Sequence, residues 1–283
     1  MRIVHFETRG ISGIAAGEGS VWHGLTQHDS GFPGTLPELI ALGTDLLRIG
    51  KSLQQSPAID LNAVRLLPPV PVPPKILCVG LNYDDHLEES GLKKPSYPEI
   101  FARFATSLIA HRDPIIRPRE STTLDYEAEL AVVIGKPGRR IRREQALNHV
   151  AGYSLFNDAT LRDFQLRTPQ WTIGKNFDGT GSFGPWLVTP DAVPPGASGL
   201  RIQGRLNGRV MQDASTDKLI FSVQELIEMI SVAMSLERGD VIITGTPGGV
   251  GAARKPPVYM RPGDVFEVEI EGLGVLTNPV QDG

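Results

Sequence analysis

The sequence predicts a β-rich α+β protein, in which many short strands are accompanied by few helices. Two observations predict this class. Apolar segments of strand length recur from residue 75 onward and are separated by turn-forming residues. A clear helical pattern is rare in the same region, so strands and helices do not alternate as they do in a doubly wound fold. We therefore expect a β-sandwich or a rolled sheet.

The first part of the chain predicts a small separate unit. Short strands and turns, as in "IAAGEGSVWHGL", precede a helical stretch, "TLPELIALGTDLLRIGKSLQQ", whose apolar residues recur at helical spacing. The proline-rich run "LLPPVPVPPK" at residues 66–75 is stiff and can neither continue a helix nor pair as a central strand. We place a boundary there, with a small N-terminal domain at residues 1–70 and a larger domain at residues 71–283.

The larger domain is predicted to be built mainly from strands. The predicted strands are "KILCVG", "AELAVVIG", "VAGYSLFND", "WLVT", "LRIQGRLNG", "GDVIITG" and "DVFEVEIEG". The clearest helix is "SVQELIEMISVAMSLERGD", which Ser222 is placed to cap and which has Gly239 near its end. Its apolar stripe consists of Val223, Leu226, Ile227, Ile230 and Met234.

Composition and charge exclude several classes of partner. The chain has 28 Lys and Arg against 32 Asp and Glu, a net charge of −4, so it lacks the basic field that nucleic acid or anionic lipid selects. The single cysteine, Cys78, cannot form an internal disulfide, which is typical of a reducing compartment. The start "MRIVHFETRG" lacks a signal-peptide core, and no apolar run approaches the roughly 18 residues of a membrane span. We expect a cytoplasmic protein.

Three carboxylates suggest a metal site. In "LDYEAELAVVIGK", residues 124–136, Glu127 and Glu129 are two positions apart, so in a strand they point to the same face and repel each other unless a cation lies between them. Asp158, at the end of "GYSLFND", could supply a third oxygen. A set of carboxylates without Cys or His favours Mg²⁺ or Mn²⁺ over Ca²⁺ and zinc. The alternative is a surface strand in which Glu alternates with apolar residues.

Two further features are candidates for catalysis. His86 and Glu89, in "CVGLNYDDHLEESG", lie three residues apart on one face of a predicted short helix, where the carboxylate could orient the imidazole as a general base. Lys175, in "WTIGKNFDG", could face the carboxylates and offset their charge. A solvated surface pair and a surface lysine are the alternative interpretations.

The segment "ITGTPGGVG" at residues 243–251, here the glycine-rich loop, resembles a phosphate cradle. It lacks the Gly-Lys-Ser/Thr ending of a P-loop, and no long helix can follow it, which argues against a nucleotide site. Its glycines would instead let backbone N–H groups approach a small anionic ligand, with Thr246 adding a hydroxyl.

Taken in order, six segments resemble the fumarylacetoacetate hydrolase family. They are "CVGLNYDDHLEE", "DYEAELAVVIGK", "GYSLFNDATLRDFQ", "WTIGKNFD", "LNGRVMQDAST" and "GDVIITGTPGGVG". The resemblance covers about residues 75–280 and leaves residues 1–70 as a variable N-terminal part. It implies the mixed β-sandwich roll of that family, a catalytic domain at residues 71–283 and a homodimer.

The resemblance also implies roles for individual residues. These are Glu127, Glu129 and Asp158 as ligands of Mg²⁺ or Mn²⁺; His86, Glu89 and Lys175 in catalysis; and Arg162, Gln165 and Thr246 in substrate binding. The segment from about residue 82 to residue 94, here the lid segment, would close over the site and carry the His86–Glu89 dyad.

The implied activity is metal-dependent hydrolysis of a C–C bond in acylpyruvate-like or diketo acids, in the breakdown of aromatic compounds or sugar acids. His86 would activate water, while the metal and Lys175 would hold the charge of the departing enolate. Because other reactions pass through the same enolate, an oxaloacetate-type decarboxylase and a dienol isomerase stay open. A non-catalytic ligand-binding protein is a further alternative, against which the full set of site residues argues.

The chain departs from the family pattern at two places. Many relatives carry arginine at the position of Leu81, and lysine-proline at the position of Arg103 and Phe104. These departures leave the size and charge of the distal end of the substrate open, so the sequence does not name a substrate.

Overall fold

The structure, a computed structural model, describes residues 1–91 and 94–283. Leu92 and Lys93, which belong to the predicted lid segment, lie outside the described residues. The strands are β1 (Arg2–Thr8), β2 (Ile11–Glu18), β3 (Val21–Thr26), β4 (Arg65–Leu67), β5 (Ile76–Gly80), β6 (Glu99–Arg103), β7 (Leu108–Ile109), β8 (Ile115–Arg117), β9 (Leu124–Asp125), β10 (Ala128–Ile134), β11 (Val150–Asp158), β12 (Thr160–Leu161), β13 (Gly181–Val188), β14 (Arg201–Leu206), β15 (Arg209–Ser215), β16 (Val241–Ile243), β17 (Val265–Ile270) and β18 (Gly274–Asp282). The α-helices are α1 (Leu36–Leu42), α2 (Leu46–Leu53), α3 (Asp84–Ser90), α4 (Arg162–Gln165), α5 (Thr172–Lys175) and α6 (Val223–Ala233). Short 3₁₀ helices span Ala105–Ser107, Arg143–His149, Pro190–Ala192, Pro195–Ala197, Thr216–Lys218 and Gly251–Ala253.

The strands form two large sheets. The main sheet has the order β3-β2-β1-β13-β11-β10-β16-β5-β6, with β4 beside β1 and β7 beside β13. It is mixed, because β5 and β16 run parallel, as do β7 and β13, whereas its other pairs are antiparallel. The second sheet has the order β15-β14-β17-β18-β8, and the short strands β9 and β12 form a separate pair.

The sheets pack as a sandwich around strand β10, which is buried on both faces. Leu130 and Val132 belong to the core between the main sheet, the second sheet and α6. Ala131 and Val133 point the other way, into the core that α1 and α2 cover. This arrangement confirms the predicted β-rich α+β class and its mixed, sandwich-like sheets.

The N-terminal strands extend the main sheet. Strand β1 pairs with β13 and β4 pairs with β1, so the sheet is continuous across the predicted boundary near residue 70. The division into residues 1–70 and 71–283 stays a prediction. The predicted helical stretch is two helices, because Gly43, in the left-handed conformation at φ 71°, ends α1, and Asp45 then caps α2.

The start of α6 matches the prediction and its end does not. Ser222 caps the helix in a reciprocal arrangement with Glu225. The helix ends at Ala233, six positions before Gly239, because Leu236 exchanges two backbone hydrogen bonds with Gly138. A long-range backbone pairing therefore replaces the last helical turn.

Candidate active site

Two neighbouring antiparallel strands bring the predicted carboxylates together. Glu127 directly precedes β10, Glu129 lies within it, and Asp158 ends β11, which pairs with β10. All three residues are buried, and one carboxylate oxygen of each lies within 4.8 Å of those of the others. We call Glu127, Glu129 and Asp158 the carboxylate cluster. The two glutamates share a face with Ala131 and Val133, as the alternation predicted.

Buried cations surround the carboxylate cluster. Lys175, at the end of α5, donates to Glu127 Oε2 at 2.7 Å and to Asp158 Oδ2 at 2.6 Å. Arg162, at the start of α4, places Nη1 2.7 Å from Glu127 Oε1. The cluster is therefore charge-compensated from two helices that follow the strands in sequence.

The pKa values of Glu127, Glu129 and Lys175 show how the groups of this network act on one another. Burial raises the pKa of Glu127, but the charges of Lys175 and Arg162 outweigh burial and bring the pKa to about 2. Burial, together with the charges of Asp158 and Glu127, raises the pKa of Glu129 well above its usual range. Burial disfavours the ammonium of Lys175, but Asp158 and Glu127 raise its pKa, which keeps it charged.

The lid segment carries the predicted His86–Glu89 dyad on α3. His86 Nδ1 and Glu89 Oε1 are 2.7 Å apart, and because a carboxylate oxygen accepts, the tautomer with a proton on Nδ1 fits this contact. The other oxygen of Glu89 accepts the N–H of Gly249 in the glycine-rich loop at 2.8 Å. At the start of the segment, Asn82 is buried and donates to the carbonyls of Phe221 and Thr244. The lid segment thus rests on the glycine-rich loop.

One cavity of about 350 Å³ joins these parts. Eight of the nine predicted site residues line it, namely His86, Glu89, Glu127, Glu129, Arg162, Gln165, Lys175 and Thr246. The ninth, Asp158, is joined to the cavity wall through Lys175. An apolar wall completes the cavity and consists of Val79, Leu81, Phe101, Leu166, Trp171 and Val250. The structure brings the predicted residues together, and their individual roles stay predictions.

Comparison with known proteins gives the family. The family model described as Fumarylacetoacetate (FAA) hydrolase C-terminal matches residues 75–281, which is most of the chain. The chain belongs to the fumarylacetoacetate hydrolase family.

Relatives in this family have different named activities. The mitochondrial oxaloacetate tautomerase Fahd2a of Rattus norvegicus is 38% identical over 99% of this chain and 91% of its own length. The oxaloacetate tautomerase YisK of Bacillus subtilis is 41% identical over 88% of this chain and 87% of its own. No helix among the described residues is long and apolar enough to cross a membrane, and the cytoplasmic location stays a prediction.

Solved structures of the family superimpose along the whole chain. A fumarylacetoacetate hydrolase from Exiguobacterium antarcticum matches with a TM-score of 0.87 and 38% identity, covering 100% of both chains. A maleylpyruvate hydrolase from Sphingobium sp. SYK-6, solved with manganese (II) and pyruvate, matches with a TM-score of 0.81 and 29% identity, also covering 100% of both.

The carboxylate cluster fits a divalent ion. Its donors are all oxygens, which Mg²⁺ and Mn²⁺ prefer. Burial, followed by the negative charges of Asp158 and Glu127, raises the pKa of Glu129, and a divalent cation held by the cluster would favour its carboxylate form. Within the described ranges, no other group of three His, Cys, Asp or Glu residues lies close enough to hold an ion.

One departure from the family pattern lies outside the cavity. Arg103 is fully buried, forms an ion pair with Asp158 Oδ1 and donates to Thr180 Oγ1 at 2.7 Å, so it contacts the carboxylate cluster from outside the cavity. Arg103 is not among the residues that line the cavity, and the nature of the substrate's distal end stays open. Leu81 does line the cavity, with a left-handed backbone at φ 57°.

The glycine-rich loop binds anions, but these are the protein's own carboxylates. Gly245 N donates to Glu129 at 2.5 Å, as Gly249 N does to Glu89. Thr246 donates to the carbonyl of Ala128 and accepts from Gln212. The N–H groups of Gly245 and Gly249 therefore bind carboxylates of the site itself, and binding of a ligand by the rest of the loop stays a prediction.

Sequence reasoning missed two residues that organise the site, Arg103 as a partner of Asp158 and Asp125 as a partner of Arg162. Asp125 stands two positions before Glu127 in a segment already singled out. Neither residue has a local pattern that indicates its partner, because Asp158 is 55 positions from Arg103 and Arg162 is 37 positions from Asp125.

Proposed function

We propose that this protein interconverts the keto and enol forms of an oxaloacetate-type β-keto diacid. The observation that carries the proposal is that a His–Glu dyad and a buried ammonium line one cavity beside the carboxylate cluster. This combination brings a proton-transfer group and a group that stabilises negative charge into the lining of the same cavity. Relatives named oxaloacetate tautomerases support this choice of reaction over C–C hydrolysis, which the sequence favoured.

The polar wall would orient the substrate. A divalent ion held by the carboxylate cluster would, when bound, supply positive charge to the α-keto acid end of the substrate. Arg162 lines the cavity, its Nη2 is buried without a hydrogen-bond partner, and its guanidinium would attract a substrate carboxylate. The side-chain oxygen of Gln165 accepts a hydrogen bond from Arg162 Nη1, so the amide nitrogen of Gln165 points away from Arg162.

Proton transfer would use His86. With its proton on Nδ1 held by Glu89, the lone pair of Nε2 can remove a proton from the carbon beside the ketone. Lys175 would stabilise the negative charge that then develops on the keto oxygen. The imidazolium returns the proton to that oxygen, so the enol forms without breaking a C–C bond, and the reverse sequence regenerates the ketone.

C–C bond hydrolysis of an acylpyruvate is the second candidate. The apolar wall of the cavity, with Leu81, Phe101 and Trp171, could accommodate an acyl chain that oxaloacetate lacks. In this reaction His86 would deprotonate water, the hydroxide would add to the distal carbonyl, and the departing carbon would leave as an enolate. Decarboxylation of oxaloacetate would need the same charge stabilisation without a water molecule.

A single set of assays separates these reactions. Freshly dissolved enol-oxaloacetate is mixed with protein and Mg²⁺ or Mn²⁺, and loss of the enol absorbance is compared with pyruvate release from oxaloacetate and from an acylpyruvate. We expect rapid loss of absorbance with little pyruvate. Pyruvate release from the acylpyruvate at a higher kcat/KM would instead select hydrolysis, and enol decay no faster than with buffer and metal alone would refute tautomerisation.

Two broader predictions accompany this function. By family resemblance we expect a homodimer, which light scattering at micromolar concentration tests, and a monomeric mass would contradict it. The predicted role in the breakdown of aromatic compounds requires that the protein cleave an acylpyruvate. Absence of pyruvate release from the acylpyruvate would contradict that role.

A further inference from the structure

Asp125 is a buried carboxylate outside the carboxylate cluster that accepts four hydrogen bonds. Oδ1 accepts the N–H groups of Tyr126 at 2.9 Å and Gly251 at 2.8 Å. Oδ2 accepts Arg162 Nε at 2.8 Å and the N–H of Ala252 at 2.9 Å. Asp125 ends β9, so one side chain connects that strand, helix α4 and the end of the glycine-rich loop.

The approach of the loop to Asp125 requires a glycine. A Cβ atom on Gly251 would overlap the carbonyl oxygen of Val258 and lie 2.5 Å from Asp125 Oδ1. The backbone can therefore reach the carboxylate only because residue 251 has no side chain. Such a close, fully buried contact is a specific arrangement rather than an incidental surface pair.

Asp125 is connected to the cavity on two sides, through Arg162 and through the end of the glycine-rich loop. Arg162 Nη1 contacts Glu127 and Gln165, and its Nη2 is left unpartnered. On the other side, Ala252 lines the cavity, and Gly249, two residues before Gly251, receives Glu89 of the lid segment.

We infer that Asp125 is a positioning residue, which fixes the Arg162 guanidinium and the end of the glycine-rich loop as one unit in the cavity wall. It holds Nε of the guanidinium, so that Nη2 keeps a fixed direction relative to the carboxylate cluster. It also holds the backbone on which the lid segment rests. The kinetic part of this inference rests on the proposed function, but the binding part does not.

The test is Asp125→Asn, which keeps the shape of the side chain. The amide nitrogen of asparagine cannot accept a hydrogen bond, and it would replace one of the two carboxylate oxygens. The two N–H donors that this oxygen binds would then lose their acceptor. We expect affinity for oxalate in the presence of Mg²⁺ to fall by roughly 10- to 100-fold, the usual cost of losing a residue that orients a ligand-binding group. Mg²⁺ binding without oxalate should change much less, and amide exchange at residues 249–253 should become faster. For oxaloacetate, KM should rise more than kcat falls.

Asp240→Asn is the matched control. Asp240 is also fully buried and accepts from a backbone N–H, that of Glu237, and from Lys75, but it does not line the cavity. This variant should leave oxalate affinity and exchange at residues 249–253 unchanged. Equal effects of both variants on oxalate binding would reduce Asp125 to a general structural role and overturn the inference.

A second variant keeps the test decisive if Asp125→Asn does not fold. Ala252→Pro removes the N–H that donates to Asp125 and puts a ring carbon in its place against Oδ2, so it separates the loop end from Asp125; the internal hydrogen bonds of this 3₁₀ helix do not use that N–H. We expect a smaller loss of oxalate affinity in the same direction, and unchanged affinity would overturn the inference. Because oxalate binding needs no turnover, a wild-type protein that binds oxalate but does not tautomerise oxaloacetate would refute the proposed function alone.

Discussion

The carboxylate cluster and the lid segment face the same cavity, but the protein holds them in different ways. The carboxylate cluster lies at the ends of central strands and is fixed by ion pairs with Lys175, Arg162 and Arg103. The dyad on the lid segment is more exposed, with 13% of the His86 side chain and 21% of the Glu89 side chain accessible. One hydrogen bond, from Gly249 to Glu89, ties this dyad to the glycine-rich loop.

This difference indicates a division of labour. Groups that stabilise charge act best when they are preorganised and need not rearrange during the reaction, which burial in a sheet provides. A proton-transfer group on a short exposed helix can leave and return, which lets substrate enter before the site closes. The predictions below test whether electrostatics and proton transfer are separated in this way.

Metal removal should have the largest effect. Exhaustive chelation should abolish enol–keto conversion and added Mg²⁺ should restore it, because the carboxylate cluster needs the ion to bind the keto acid. Mg²⁺ at about 100 times its Kd should stabilise the folded protein by roughly 2.7 kcal/mol, visible as a higher melting temperature.

Asp158→Asn should lose both the activity and the Mg²⁺-dependent shift in melting temperature. Asp178→Asn, a change at an exposed position nearby, should keep both. Full activity after chelation would contradict a metal-dependent site.

His86→Ala tests the more exposed of the two regions, the lid segment. We expect kcat/KM for tautomerisation to fall by roughly 10²- to 10⁴-fold, the usual contribution of a positioned general base, with little change in melting temperature. Glu88→Ala, on the exposed face of the same helix, is the control. Oxaloacetate decarboxylation, if present, should suffer less, and an equal loss in both reactions would mean that His86 does more than transfer protons.

Lys175→Met tests the carboxylate cluster and the buried cations around it. Tautomerisation, hydrolysis and decarboxylation all pass through an enolate, so every one of them should slow by roughly 10²- to 10³-fold, the cost of removing one preorganised charge-stabilising donor. The melting temperature should also fall, since Glu127 and Asp158 each lose a buried partner. Lys51→Met, on the exposed face of α2, should change neither quantity. A substantial loss in only one of the reactions would argue against a shared enolate.

Hydrogen exchange compares the two regions directly. Amides of the lid segment within residues 82–91 should exchange faster than those of β10 and should slow by about tenfold or more when Mg²⁺ and oxalate are added. Amides of β10 should change little, because this strand is buried on both faces. Lid amides that do not slow would count against closure over the ligand.

Between pH 6.5 and about 4, acid sensitivity of the fold should come from a histidine outside both regions. Burial lowers the pKa of His111 from 6.5 to about 4. Between pH 6.5 and pH 4, His111 is therefore protonated in the unfolded chain and neutral in the folded protein. Stability should fall as pH drops from 6.5 towards 4, with His111 contributing at most roughly 3 kcal/mol. His5, whose pKa burial also lowers, should add to this loss.

His111→Asn should flatten part of this slope in denaturant titrations at a series of pH values. A slope identical to that of the wild type would exclude His111 as a source of the acid sensitivity. Once the stability loss is measured, any change in activity over the same pH range can be assigned to the site rather than to unfolding.

Much of the architecture follows from local sequence patterns. The β-rich class, the shared face of Glu127 and Glu129, and the start of α6 at Ser222 each depend on residues a few positions apart. Period-two alternation decides the facing of side chains in a strand, and a capping serine acts on its own helix turn. The family resemblance added the grouping of distant motifs into one site, which spacing alone could not supply.

Other features were decided only by the tertiary structure. The helix α6 ends early because Leu236 pairs with Gly138, and Arg103 joins the carboxylate cluster rather than the substrate pocket. The glycine-rich loop donates to Asp125, a residue 126 positions earlier in the chain. Buried donors and charges must find partners, but which partner each one finds depends on how distant strands and loops are brought together, and no local pattern records that.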